Sequence, residues 1–144
     1  MSTPHEPQLP ASRLAFVQRF SATRRGARLA RLLAAKQLRT WDVPYDTAWR
    51  TEQIVAELAA NAALHGQLRG RGFKTALALD VEAGTVRVEV ADARGERLPE
   101  AGEVPESDGE SGRGLLLVTA LADKWGTELH RSGGKTVWAL IAVR

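Results

Sequence analysis

The sequence predicts one domain of the α+β class, and three observations carry that expectation. Residues 73–92 alternate apolar and polar side chains with period two and turn at Ala83-Gly84, the pattern of a half-buried hairpin. Residues 124–143 read as a second hairpin around Ser132-Gly133-Gly134. The remaining apolar stretches repeat at helical spacing. With 144 residues, 44% hydrophobic and 26% charged, the chain is long enough to bury one core.

Residues 1–12 hold three prolines and few apolar side chains, so they are expected to be a flexible tail, with the domain covering 13–144. Arg13 to Phe20 alternates loosely and suggests an edge strand. Ser21 is a plausible N-cap for a helix reaching about Arg39. Leu29, Ala30, Leu33 and Ala34 are expected to face inward there, with Arg24, Arg28 and Arg31 on another face. After a connection containing Pro44, Asp46 or Thr47 is expected to cap a second helix that closes at Gly66. Gln67 to Gly72 reads as a loop. Phe73, Thr75, Leu77, Leu79 and Val81 share one side of the next strand. Val86, Val88, Val90 and Asp92 share the inward side of its partner. Residues 93–111 form a long acidic loop, which ends in Gly112-Arg113-Gly114 and the apolar helix from Leu115. On the last strand, Thr136, Trp138 and Leu140 share a face, read as the inward one.

Composition removes several function classes. There is no cysteine, which excludes disulfides, zinc–thiolate sites and thiol catalysis. The longest apolar run, Leu115 to Ala122, is too short to span a bilayer, and no signal-peptide pattern opens the chain. A cytoplasmic location without membrane attachment is the expectation. Charge is unevenly spread: Arg19 to Arg39 holds seven basic residues and no acid, whereas Glu96 to Glu110 holds six acids against Arg97. That asymmetry suits protein–protein steering or intramolecular pairing at least as well as nucleic acid, and with no recognition helix, stacking pattern or zinc module beside it direct nucleic-acid contact is the minority reading.

Three local signals carry chemistry. Glu57, Asn61 and His65 are four apart and form one helical stripe. A carboxamide oxygen can ligate Mg²⁺ while water and phosphate fill its other positions, and a carboxylate one turn away can take a proton from a hydroxyl. Taken alone, a Glu and an Asn on a solvated helix face is the commoner reading of such a pair. The Gly112-Arg113-Gly114-Leu115 junction can present main-chain N–H groups to phosphate, although a plain hinge is as common. It lacks the ending of a Walker A loop. Asp92, inward at a strand end, needs a partner; an adenine amino group or a turn would each supply one. Thr136 is either a hydroxyl joined to that network or an ordinary strand threonine.

The order of these pieces is more specific than any one of them. Glu57-x-x-x-Asn61, a hairpin ending in Asp92, a glycine-flanked loop, Gly112-x-Gly114 and a closing hairpin together resemble the GHKL ATPase superfamily. Within that superfamily the chain is similar to bacterial anti-sigma factor serine kinases. The resemblance implies a Bergerat ATP-binding fold: a two-layer α/β sandwich whose mixed, mostly antiparallel sheet is covered on one face by three helices. It implies Glu57 as general base, Asn61 as Mg²⁺ ligand and His65 near the phosphates. Asp92 would bind adenine with support from Thr136, and Gly95, Gly112, Arg113, Gly114 and Leu115 would line the nucleotide. ATP and Mg²⁺ are the implied cofactors. A sigma factor and an antagonist of the STAS type are the implied partners, bound by a homodimer. One departure is visible: the family's Asp-x-Gly-x-Gly box reads Asp92-Ala93-Arg94-Gly95-Glu96, with Arg94 and Glu96 at the glycine positions.

Overall fold

The computed structural model describes residues 13–69, 71–92, 109–131 and 133–144. The expected tail and most of the acidic loop, including Gly95, lie outside them. The described elements run β1 (Arg13–Phe20), α1 (Arg24–Thr40), α2 (Tyr45–Arg69), β2 (Phe73–Asp80), β3 (Thr85–Asp92), α3 (Gly109–Leu121), β4 (Lys124–Leu129) and β5 (Lys135–Ala142). The strands form one sheet in the order β1-β2-β3-β5-β4, and every described pairing is antiparallel. Helices pack on one face of that sheet, α2 against β2, β3 and β5, giving the two-layer sandwich that the sequence implies.

The core lies between the layers. Val86, Val88 and Val90 of β3 are buried there beside Phe73, Leu77 and Leu79 of β2. Phe73 stacks on Phe20 across the β1–β2 ladder, with ring centroids 5.7 Å apart. Val81, expected on the inward side, is 60% exposed. The strand ends at Asp80, whose carboxylate accepts from the Ala83 N–H at 2.9 Å and turns the chain before Val81 can pair.

Helix boundaries differ from the sequence reading for identifiable reasons. Thr23 rather than Ser21 caps α1, its hydroxyl accepting from the Gly26 N–H at 2.9 Å. Gly26 is required here, because a Cβ at that position would lie 2.0 Å from the Ser21 carbonyl oxygen. The buried stripe of α1 is Gly26, Ala30, Ala34 and Leu38, and Leu29 faces solvent. Small residues let α1 approach α2, and Arg31 crosses to Glu52 at 2.7 Å.

Neither Asp46 nor Thr47 caps α2. The Pro44 carbonyl accepts the first helical bond, from Ala48 at 2.9 Å. Thr47 is turned inward instead: its hydroxyl accepts from the Arg144 N–H at 3.0 Å and lies 3.4 Å from the Ala142 carbonyl. Arg50 also donates to that carbonyl, at 3.2 Å. These bonds tie the start of α2 to the end of β5. Gly66 does not close the helix, which continues to Arg69. A glycine in a helix interior costs about 1 kcal/mol relative to alanine, and Gln67, Leu68 and Arg69 are all good helix formers.

The last strand carries the most consequential difference. Val137, Ala139 and Ile141 pair with Val90, Val88 and Val86 and share the core face with them. Thr136, Trp138 and Leu140 do share a face, but it is the outer one. Trp138 lies there over Gly126, with the Arg87 guanidinium 4.8 Å from its ring centroid. Both alternations along β5 are apolar, so parity by itself did not choose between them.

Candidate functional site

The site is assembled at one end of the core face. Asp92 is the last residue of β3, 7% exposed, and its neighbours in register are Phe73 on β2 and Lys135 on β5. The inward carboxylate expected from the sequence is therefore present. Thr136 does not join it: the side chain points to the opposite face, where Oγ1 lies 3.0 Å from His130 Nε2. The residue beside Asp92 on its own face is Lys135, which the sequence reading passed over.

Connectivity brings α2 to the same end. Its first turn is fixed to the Ala142 end of β5, and its last residue, Arg69, is joined through residues 70–72 to Phe73, the partner of Asp92. Asn61 comes 14 residues after Thr47, a rise of about 21 Å along the helix. The seven steps of β5 from Ala142 back to Lys135 cover about 23 Å. The middle and end of the Glu57–Asn61–His65 stripe thus reach the level of Asp92. Ile54, Val55, Leu58, Ala59, Ala62 and Ala63 are buried beneath that stripe. Glu57 and Asn61 are half-buried at the rim of that face and His65 is exposed, which matches neither a core helix face nor a fully solvated one.

The glycine junction differs in detail. Helical backbone begins at Gly109, so Gly112, Arg113 and Gly114 lie inside α3 rather than before it, and Leu115 follows half-buried. An α-helix leaves its first four N–H groups without intrahelical partners. Those end at residue 111, because the fourth helical residue donates the first such bond, as Ala48 does in α2; Gly112, Gly114 and Leu115 are therefore committed to the helix. α3 packs on α2, and the carbonyl of its last residue, Leu121, accepts from Arg50 at 3.2 Å.

The donor chemistry fits Mg²⁺–ATP in a limited sense. Among the described residues there is no cluster of three His, Cys, Asp or Glu side chains able to cage a metal. Glu57 and Asn61 supply two oxygen-bearing groups one turn apart, the partial set used by an ion that keeps waters and phosphate oxygens. Thr75, fully buried one inward position from Phe73, has a hydroxyl without a hydrogen-bond partner among the described residues. A buried hydroxyl of this kind is ordinarily satisfied by water or ligand.

The result is an open antiparallel sheet under three helices, with a carboxylate at the end of β3 and a Glu-x-x-x-Asn helix above. Residues 20–141 match the family described as the histidine kinase-like ATPase domain, and the chain belongs to that family. No curated protein matches it in sequence. Among solved structures it is similar to a chain of the SiaB-SiaC complex from Pseudomonas aeruginosa. That match has a TM-score of 0.65 and 13% identity, and covers 88% of each chain. It is also similar to the structure of the RsbU and RsbW domains of a Mycobacterium tuberculosis protein, with a TM-score of 0.63 and 20% identity. That match covers 90% of this chain and 32% of the other. At these identities the likeness is one of fold. Among the described residues no helix is long and apolar enough to cross a membrane.

Proposed function

We propose that this chain binds ATP with Mg²⁺ and transfers the γ-phosphoryl group to a serine of a small antagonist protein, alternating between that antagonist and a sigma factor as a homodimer. The feature that carries the reading is the half-buried Glu57–Asn61 stripe of α2 together with buried Asp92 at the end of β3 toward which that helix runs. Family membership supports ATP, and likeness to chains from the SiaB-SiaC complex and the RsbU–RsbW structure supports protein partners.

In this reading Asp92 accepts the adenine amino group, and the open N–H groups at the start of α3 face phosphate oxygens. Asn61 and phosphate oxygens would hold Mg²⁺, which neutralises charge on the triphosphate. Glu57 takes the serine proton as the serine Oγ–P bond forms and the bond from Pγ to the ADP oxygen breaks. His65, exposed one turn beyond Asn61, would lie near the phosphates.

Calorimetry of the purified chain tests the core of the proposal. The wild type is expected to bind Mg²⁺–ATP, and Asn61→Ala to weaken it by roughly tenfold or more while abolishing the Mg²⁺ dependence. Unchanged binding in Asn61→Ala would overturn the assignment.

A second reading is favoured by Arg94 and Glu96 standing at glycine positions of the box after Asp92. Charged residues replace glycines in that box, and the acids that follow it in sequence oppose a triphosphate. In that version the chain binds nucleotide and switches partners without transfer. Labelled ATP with the cognate antagonist separates the two.

A further inference from the structure

We infer that Lys135 reads the base directly, its ammonium donating to N1 of the adenine whose amino group Asp92 accepts. The inference rests on the ATP reading above and assigns a specificity residue to that same site. Three observations place it. Lys135 is the register partner of Asp92, and directly opposed residues on one face of an antiparallel pair have Cβ atoms about 4.5–5.5 Å apart. The face is the core face, because the next inward pairs are Val137 with Val90 and Ala139 with Val88, all packed in the core. Thr136, the neighbouring polar residue, is turned away and engaged with His130.

The surroundings leave Lys135 room to act. It is half-buried, and among the described residues it enters no ion pair. Its other register neighbour is Leu129 of the edge strand β4, 64% exposed, so this end of the face opens to solvent. A lysine on a four-carbon stem can lay its methylenes along the wall and carry its charge to a ligand.

The chemistry of the base matches a side-by-side acceptor and donor. Adenine presents its N6 amino donor and its N1 acceptor as neighbours on one edge. A carboxylate receives the first, and an ammonium donates to the second through a charge-assisted bond. Asp92 by itself reads only the amino group; adding Lys135 makes the recognition two-point. A base lacking the N1 acceptor forfeits that charge-assisted bond, and solvent at this half-buried position holds the expected discrimination to about tenfold.

The test pairs a ligand atom with a side chain, using the full chain and Mg²⁺ in calorimetry. The ligands are ATP and 1-deaza-ATP, in which N1 is replaced by C–H. Wild type is expected to bind ATP roughly tenfold more tightly than 1-deaza-ATP. In Lys135→Met that ratio is expected to fall to within about twofold, because the side chain that sensed N1 is gone. Lys135→Gln, a milder change, is expected to give an intermediate ratio. Equal wild-type affinities for the two nucleotides overturn the inference without any variant being needed. A full wild-type ratio surviving in Lys135→Met or Lys135→Gln overturns it as well. Failure of the wild type to bind ATP at all is a separate result: it removes the ATP reading itself.

Discussion

Glu57→Gln is expected to abolish phosphoryl transfer to the antagonist while leaving Mg²⁺–ATP affinity within about twofold of wild type. General-base catalysis of this kind contributes roughly 10²- to 10⁴-fold, so single-turnover transfer from labelled ATP should fall by that factor. The amide keeps the size and the hydrogen-bonding reach of the carboxylate but cannot take the serine proton. Glu57 sits half-buried on the rim, one turn before Asn61, so the change leaves the packed residues Ile54, Leu58 and Ala62 untouched. A binding-only role for the chain predicts no transfer in either protein. Transfer at the wild-type rate in Glu57→Gln would contradict the assignment of the base. The contrast with Asn61→Ala, which is expected to weaken binding, separates the two positions of the stripe.

Leu77→Ala is expected to destabilise the fold by about 2–5 kcal/mol through the lost transfer free energy and the cavity left behind. Leu77 is fully buried at the centre of β2, between Phe16 and Val88 in register. For a domain of this size the loss corresponds to a fall of roughly 6–15 °C in the thermal midpoint. Against a typical stability of about 5–15 kcal/mol this is a large fraction. Val81→Ala is the matched control: two inward steps further along in sequence, but exposed in the turn, it should change stability by less than about 0.5 kcal/mol. Equal effects at the two positions would mean that the β2 register is wrong.

Those two residues also mark how far the sequence was legible. The β2–β3 hairpin could be read because only one of its two alternating sets is apolar: Val86, Val88 and Val90 face Arg87 and Glu89. Asp92 followed from the same parity, and its burial agrees. On β5 both sets are apolar, Val137-Ala139-Ile141 and Trp138-Leu140, and large Trp138 drew the inward assignment to the wrong set. The outer face can hold a tryptophan because Gly126 and Arg87 sandwich it, a tertiary arrangement that local pattern does not contain. That one-residue slip exchanged Thr136 for Lys135 at the site. An available signal was the run of three small or branched residues that matches the β3 valines in size.

Helix ends were the other weak point. Thr47 looks like a cap by type, but the chain terminus claims its hydroxyl through Arg144, a contact 97 positions away. Gly66 and Gly112 both look like helix boundaries and both lie within helices, since local composition sets only a small cost that neighbouring residues outweigh. The Glu57–Asn61–His65 stripe was legible from spacing alone, while its convergence on Asp92 depends on where α2 is anchored to β5.

A crystal structure of the chain with Mg²⁺ and a non-hydrolysable ATP analogue decides whether one pocket holds base, phosphates and metal. Density is expected for the base against Asp92 and Lys135, for the phosphates at the start of α3, and for the metal within bonding distance of the Asn61 amide oxygen. A nucleotide seated elsewhere, or Asn61 and Asp92 opening into separate cavities, would contradict that arrangement.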